Sequence, residues 1–233
     1  MPTLGSIDVR MCAFLYALLN TTSHKLTICH TSRVWIASAR NELIKEFLKS
    51  DNEYLLFLDD DNPPEDVGFL DRMIADKKPV VSWLVPSRLP DEDKRHRLCI
   101  FWEWMKEDGR HEYFQAFRVP KSKETFQIAN CGMGCVLIER WLVKMVSEEF
   151  DLPCEERMVW YFDWGEEWWI RDERMDYDKA KNWMLRFKRR MSEDLLFFER
   201  CRDFGATLWC NPTVQCEHFS GGDVISIKTH IWK

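Results

Sequence analysis

Apolar runs separated by polar breaks divide the first ninety residues into alternating helices and strands. In some segments the apolar positions recur at helical spacing, and in other segments they form short continuous runs of strand length. The pattern predicts helices over residues 8–20, 34–48 and 64–75, and strands over 25–31, 54–58 and 79–85. Strands that alternate with helices are typical of an α/β fold, so we expect a mostly parallel sheet with helices on both faces.

Beyond residue 90 the pattern changes. Two strand-like runs, 97–105 and 112–119, flank Asp108-Gly109 and predict a hairpin. Later runs predict strands over 126–129, 136–138 and 206–210, a helix from Glu139, and a helix over 193–204 that Gly205 ends. Residues 151–191 are dense in aromatic and charged residues and resist assignment, and residues 219–233 read as irregular. We expect a small antiparallel region in this half.

Composition narrows the class of protein. The chain has 233 residues, 45% of them hydrophobic, and a net charge of −6, which suits one domain and indicates no nucleic-acid partner. Nine cysteines without a repeated spacing favour reduced thiols and a cytoplasmic location. A zinc site at Cys210, Cys216 and His218 is the less favoured alternative, because no CxxC pair completes it. No segment is long and apolar enough to span a bilayer.

Three consecutive acids, Asp59, Asp60 and Asp61, directly follow the apolar strand Tyr54–Leu58. Ligands of an α/β sheet bind beyond the carboxyl ends of its strands, where these acids are expected. In an extended segment Asp59 and Asp61 point the same way, so they could share a divalent ion, Mg²⁺ or Mn²⁺. The alternative is a solvated acidic turn before a helix N-terminus.

Several motifs follow these acids in a fixed order. The chain carries Pro2-Thr3-Leu4-Gly5, then Ala39-Arg40-Asn41, the DDD run, NCGMGC at 130–135, Ser192-Glu193-Asp194 and a late His218. In that order they resemble the GT-A-fold glycosyltransferases, most closely the family-two type. The resemblance covers most of residues 2–219. It implies one catalytic domain over residues 1–233, with a nucleotide-binding half at 1–90 and an acceptor-side half at 91–233.

The resemblance also implies roles for individual residues. Asp61, with Asp59 and His218, would hold the metal, and Asp194 would be the general base, with Glu193 orienting it or replacing it. The donor nucleotide would contact residues of both halves, namely Pro2, Thr3, Arg40, Asp59, Asp60, Gly132 and Gly134. Each assignment has a plainer alternative: helix-capping acids at 193–194, a bulged strand at the glycines, and a salt bridge between Arg40 and the acids.

Two further segments bear on the acceptor. In WYFDWGEEWW, residues 160–169, Trp164 and Trp168 could stack on an acceptor sugar and Glu166 could bind its hydroxyls, although such aromatics are more often core. KNWMLRFKRRM, residues 181–191, could lie against a membrane that carries a lipid-linked acceptor, although a solvated helix is favoured.

The expected activity is metal-dependent and inverting transfer of a sugar from a nucleoside-diphosphate donor, with UDP favoured, to a hydroxyl acceptor such as a glycan. Two departures stand out: the first strand is nearly absent before Pro2, and His30, Thr31 and Ser32 stand where the family has a base-reading acid. The alternatives are a nucleotidyltransferase, for which PTLGS is a poor opening loop, and a binding module without catalysis.

Overall fold

The computed structural model describes residues 2–3, 8–32, 36–90, 96–105, 111–116, 120–150, 192–220 and 223–226. Its helices are α1 Val9–Thr21, α2 Ile36–Lys49, α3 Phe69–Ala75, α4 Arg140–Phe150 and α5 Glu193–Asp203. Its strands are β1 Pro2–Thr3, β2 Thr31–Ser32, β3 Tyr54–Leu58, β4 Val80–Leu84, β5 Pro86–Pro90, β6 His96–Leu98, β7 Ile100–Met105, β8 His111–Gln115, β9 Phe126–Ile128, β10 Asn130–Cys131, β11 Cys135–Glu139, β12 Leu208–Gln215, β13 Glu217–Ser220 and β14 Asp223–Ser226.

The largest sheet of the described residues has five strands in the order β3-β11-β4-β12-β9. Only β4 and β12 are parallel neighbours, because β11 runs antiparallel to both β3 and β4, and β9 antiparallel to β12. The fold is therefore mixed α/β, and the expectation of a mostly parallel sheet is wrong.

The direction of β11 explains this error. A helical crossover returns the chain so that the next strand is parallel, and the sequence pattern shows such crossovers only up to β4. Between β4 and β11 the chain instead forms short antiparallel strands, of which β5, β6, β7, β8 and β10 lie in two small sheets and β9 lies at the edge of the main sheet. The chain then forms β11, which lies between β3 and β4 and runs in the opposite direction to both.

Helices cover both faces of the five-stranded sheet. Adjacent strand residues point to opposite faces, so Val80 and Val136 contribute to one core while Val81 and Leu137 contribute to the other. The first core lies under α2, α4 and α5, and its largest members include Phe47, Phe57, Phe197 and Phe198. The second lies under α1 and α3 around Met11, Leu18, Phe69 and Trp83. The apolar run of β3 serves both cores.

Most predicted elements are present, with three differences. Of the strand expected over 25–31 only Thr31 is assigned to a strand, as the first residue of β2. Pro64 lies before α3 and not in its first turn, since α3 begins at Phe69. Residues 219–220 and 223–226 are not irregular, because they belong to β13 and β14, which pair as an antiparallel hairpin, whereas residues 227–233 lie outside the described residues. The β7–β8 hairpin and the end of α5 at Gly205, with φ 79°, are confirmed.

Candidate active site

Four segments that are distant in sequence meet at the carboxyl end of β3. Asp59–Asp61 form the turn after β3, and residues 132–134 join β10 to β11 beside it. Asp194 lies in the first turn of α5, and His218 lies on β13. Backbone bonds hold three of these segments together: Asp59 N–H donates to Gly134 C=O, and Phe219 N–H donates to Asp61 C=O.

The acidic segment is a turn and not an extended chain, because Asn62 N–H donates back to Asp59 C=O at 3.3 Å. The expectation that Asp59 and Asp61 point the same way assumed an extended segment, and that assumption is wrong. The two carboxylates are nevertheless close enough for the charge of Asp61 to raise the pKa of Asp59. Asp60 is partly buried in the same turn.

Asp61 and His218 form the pair best suited to hold a cation. The Oδ2 atom of Asp61 lies 3.3 Å from Nε2 of His218. The other ring nitrogen, Nδ1, is 2.8 Å from the Pro86 carbonyl, which can only accept, so Nδ1 carries the proton. Metal-ligating histidines often donate one ring N–H to a backbone carbonyl in this way, which leaves Nε2 of His218 as the nitrogen that could bind a cation together with Asp61. Two ligands at right angles around an ion with bonds near 2.1 Å lie about 3 Å apart.

Asp59 is a carboxylate in an unfavourable environment. Burial raises its pKa, the charges of Asp61 and Asp194 raise it further, and Arg40 opposes them. Its Oδ1 atom lies 3.7 Å from Nη2 of Arg40 and makes no hydrogen bond to any described residue. Buried polar atoms are rarely left without a partner, so the environment of Asp59 is suited to a further positive group.

Arg40 is itself buried, with 3% of its surface exposed. Arg40 and Asp59 form an ion pair, which is the plainer of the two roles that the sequence suggests for Arg40. Its contact with a nucleotide stays a prediction.

The two glycines leave room for the carboxylates. A Cβ atom at Gly134 would lie 2.9 Å from Asp59 Oδ2 and 3.2 Å from Asn62 Nδ2, which is too close for an unshifted side chain. A Cβ at Gly132 would lie 3.3 Å from the Cβ of Cys99 and 3.7 Å from Asp194 Oδ2. Gly132 and Gly134 thus lie beside the carboxylates of Asp194 and Asp59, and their predicted contact with the donor stays a prediction.

Asp194 is held at the start of α5. Its Oδ1 accepts a hydrogen bond from the Ser192 hydroxyl and from the Leu195 N–H, the latter at 2.9 Å. Ser192 occupies the N-cap position but makes no capping bond to the helix backbone, because its hydroxyl points to Asp194. The second oxygen, Oδ2, faces Gly132. One oxygen is thus fixed and the other faces the loop that borders the acid cluster.

Two residues of the site were not predicted from the sequence. Asn62 donates from Nδ2 to Asp61 Oδ1 at 2.8 Å, and its position directly after the acids was the available signal. Cys99 lies among the acids, and burial together with the charges of Asp194, Asp59 and Asp61 raises the pKa of its thiol to about 12. Nothing in the spacing of Cys99 marked it.

Of the other predicted site residues, some have only their backbone described and some lie outside the described residues. Pro2 and Thr3 form β1 and pair with Thr31 and Ser32, without described side chains. Glu193 begins α5, again with only its backbone described. The predicted acceptor residues Trp164, Glu166 and Trp168 lie outside the described residues.

The described residues contain no group of three or more His, Cys, Asp or Glu side chains arranged to hold a metal ion. The predicted role of Asp59 as a third metal ligand beside Asp61 and His218 stays a prediction. A site with two protein ligands still fits Mg²⁺ or Mn²⁺ chemistry, because such ions keep several waters and substrate phosphate oxygens as ligands.

Comparisons with known proteins inform the fold alone. No protein-family model matches the chain, and no curated protein matches it. Among solved structures, the crystal structure of A197 from STIV is similar, with a TM-score of 0.51 and 15% sequence identity. The similarity covers 100% of this chain and 94% of A197. Within the described residues, no helix has both the length and the apolar character needed to cross a membrane.

Proposed function

We propose that the protein is a metal-dependent glycosyltransferase of the GT-A type, which transfers a sugar from a nucleoside-diphosphate donor, with UDP favoured, to a hydroxyl acceptor such as a glycan. One observation carries this proposal. Asp59, Asp61, Asp194 and His218 come from three segments and lie around one turn, next to the two glycines of a fourth, small-residue segment.

The residues divide into a donor side and an acceptor side. On the donor side, Asp61 and His218 would hold the cation, which as a Lewis acid stabilises the leaving diphosphate. Arg40 keeps Asp59 in place through their ion pair. Gly134 leaves the space that Asp59 occupies, so the backbone of this loop could approach a bound sugar closely.

On the acceptor side, Asp194 is the general base. The Ser192 hydroxyl and the Leu195 N–H bind one carboxylate oxygen and so fix the orientation of the other. That free oxygen takes the proton from the acceptor hydroxyl as the hydroxyl attacks the anomeric carbon from the face opposite the diphosphate. Attack from that face inverts the configuration of the sugar.

The direct test is release of free UDP from a panel of UDP-sugars with Mn²⁺, in the presence of glycan acceptors. We expect the wild type to release UDP from at least one donor, and Asp194→Asn to lose this activity by on the order of 100-fold or more while it still binds UDP. Asp203→Asn, at the other end of α5, is the matched control and should keep the wild-type rate.

Two results would contradict the assignment. Transfer by Asp194→Asn at the wild-type rate would remove Asp194 as the base. UDP binding by the wild type without turnover of any donor in the panel, with GDP-sugars included, would favour a binding module.

A further inference from the structure

A cavity of about 510 Å³ extends along the whole of β3. All five residues of the strand, Tyr54–Leu58, line it, together with helices α1 and α2 and the segment 24–29. Small-molecule sites in proteins have volumes of about 300–1,000 Å³, so the size of this cavity suits a ligand. Its described lining includes no residue of the acid cluster. The cavity is therefore separate from the candidate active site, and the inference does not depend on the proposed function.

The interior of the cavity is apolar. The buried members of its described lining are all leucines and phenylalanines, among them Leu18 of α1, Phe47 of α2 and Leu137 of β11. Leu55 and Leu56 of β3 are only partly buried beside it. A ligand that fills this space would remove further apolar surface from water, so a hydrocarbon body is favoured.

The length of β3 sets the length of that body. Five strand residues at roughly 3.3 Å each span about 17 Å, the length of an extended alkyl chain of about thirteen carbons. A methylene group occupies about the volume of a water molecule, roughly 30 Å³, so one such chain fits the cavity and two do not. The cavity therefore suits a lipid with a single chain.

The charged side chains of the lining lie at its rim, because Lys25, Glu46, Asp51 and Glu53 are all exposed. Glu46 is paired with Lys49 at 2.6 Å. No ion pair involves Lys25, Asp51 or Glu53 within the part of the chain that the structure describes. The rim therefore presents one basic and two acidic groups to a ligand.

Two other basic groups near the rim already have partners. His24 is half-buried in the lining, and its Nε2 lies 2.8 Å from a carboxylate oxygen of Asp71. Arg140 is not in the lining, and its guanidinium donates to three backbone carbonyls at the end of α2 and in the loop after it. The charge that remains for a ligand is therefore acidic on balance, which favours a cationic head.

Tyr54 adds an aromatic ring beside these acids. Burial raises the pKa of Tyr54, and the charges of Glu139 and Glu53 raise it further, so both carboxylates lie near its hydroxyl. Ammonium groups bind favourably to aromatic faces and to carboxylates, and the recognition of quaternary ammonium ligands combines the two.

We propose that this cavity binds a single-chain amphiphile with a cationic head, a long-chain ammonium compound. The alkyl chain lies along β3 between α1 and α2. The ammonium group lies at the rim beside Asp51, Glu53 and Tyr54.

Calorimetry on the full chain tests this with dodecyltrimethylammonium and with dodecanoate, which has the same chain length and the opposite charge. Both are kept below their critical micelle concentrations. We expect one dodecyltrimethylammonium to bind per chain, with an affinity on the order of tenfold or more above that of dodecanoate. Tighter binding of dodecanoate would overturn the proposal and would assign the rim to Lys25. Binding that does not saturate near one per chain would overturn it too.

The double variant Asp51→Asn/Glu53→Gln tests the head. Its affinities for the two probes should differ by no more than about threefold, because the acids that favour the ammonium are gone. Glu42→Gln/Glu124→Gln is the matched control, since both residues are exposed acids outside the lining, and it should keep the wild-type preference. A preference that persists in the Asp51/Glu53 variant would contradict the placement of the ammonium.

Two measurements test the chain. Leu15→Trp places a larger side chain in the lining and should weaken binding of dodecyltrimethylammonium on the order of tenfold or more. Because this variant can fail to fold, the wild type is also titrated with alkyltrimethylammonium ions of increasing length. Their affinity should rise about fourfold per methylene and level off near about thirteen carbons, the length of β3. Affinity that does not change with chain length would overturn the proposal.

Discussion

Gly134 is the residue at which the site has least room. A methyl group there would lie 2.9 Å from Asp59 Oδ2, so either the carboxylate or the loop must move. We expect Gly134→Ala to lower Mn²⁺-dependent UDP affinity on the order of tenfold or more, because the acids no longer share their present geometry. Isothermal calorimetry measures this affinity.

Gly68→Ala is the control for Gly134→Ala. A Cβ at Gly68, just before α3, would also meet a carboxylate oxygen, that of Asp66, but at the less tight distance of 3.2 Å. Its UDP affinity should equal that of the wild type. Unchanged affinity in Gly134→Ala would mean that the position of Asp59 does not matter for the donor.

His218 offers a second test at the scale of one residue. Replacement by Gln removes the imidazole lone pair that faces Asp61, and we expect Mn²⁺ affinity to fall on the order of tenfold or more. His96→Gln is the matched control, since the Nδ1 atom of His96 also lies 2.8 Å from a backbone carbonyl, that of Ser87. Equal loss of Mn²⁺ affinity in both variants would indicate a structural role for His218.

Helix α5 depends on a buried polar cluster for its contact with the β7–β8 hairpin. Glu199 of α5 accepts hydrogen bonds from the Tyr113 hydroxyl and from Arg202, which also binds Glu103. Burial raises the pKa of Glu199, and the bond from Tyr113 lowers it. The ionised carboxylate is therefore costly in the folded state, and Tyr113 reduces that cost. Because α5 also carries Asp194, this cluster helps to fix the position of Asp194, the proposed base.

Tyr113→Phe should destabilise the protein by about 1–2 kcal/mol at neutral pH, since it removes a hydrogen bond to a buried carboxylate. The pKa of Glu199 is raised in the folded state. Its contribution to the stability of the protein is therefore fully present below the ordinary pKa of a glutamate and is lost as the pH rises through the folded pKa. Without the hydrogen bond from Tyr113, the ionised form of Glu199 is less favourable in the folded protein, so more stability is lost as the pH rises. The deficit in Tm should therefore be larger at pH 8 than at pH 5.

Thermal melts of Tyr113→Phe and of Tyr16→Phe, which changes an exposed tyrosine of α1, measure this difference. A deficit that is equal at both pH values would show that Glu199 does not depend on the Tyr113 hydroxyl.

The elements themselves could be predicted unevenly, for physical reasons. The apolar run of β3 and the glycine that ends α5 carry their own local signals, and both elements lie where the sequence puts them. The strands β13 and β14 are short, and their pairing depends on a partner strand more than on their own pattern. The direction of β11 is set by the whole excursion of the chain before it, which no local pattern contains. The order of the site motifs could be found in the sequence, and so could Asn62, which directly follows the acids, whereas the position of Cys99 depends on tertiary proximity.

The molecule as a whole is joined through its central sheet. Strands β3 and β4 come from residues 1–90, and β9, β11 and β12 come from residues 91–233. Because β11 lies between β3 and β4, the first half cannot close its sheet without the second. The separate roles of the two halves, donor and acceptor, stay a prediction.

We therefore expect the full chain to unfold in one cooperative transition and residues 1–90 alone to remain largely unfolded. Calorimetry of the full chain and circular dichroism of the fragment test this expectation. Two separated transitions in the full chain, or a fragment with a cooperative melt, would show that the halves are independent folding units.

The central claim is that Asp61 and His218 hold a cation for a diphosphate, and calorimetry of UDP binding tests it most directly. The titration is made with Mn²⁺, then with excess EDTA, for the wild type and for Asp61→Asn. The account predicts binding by the wild type only with Mn²⁺, and none by Asp61→Asn. Binding that survives EDTA or the Asp61 substitution, or no binding of UDP or GDP under either condition, would contradict it.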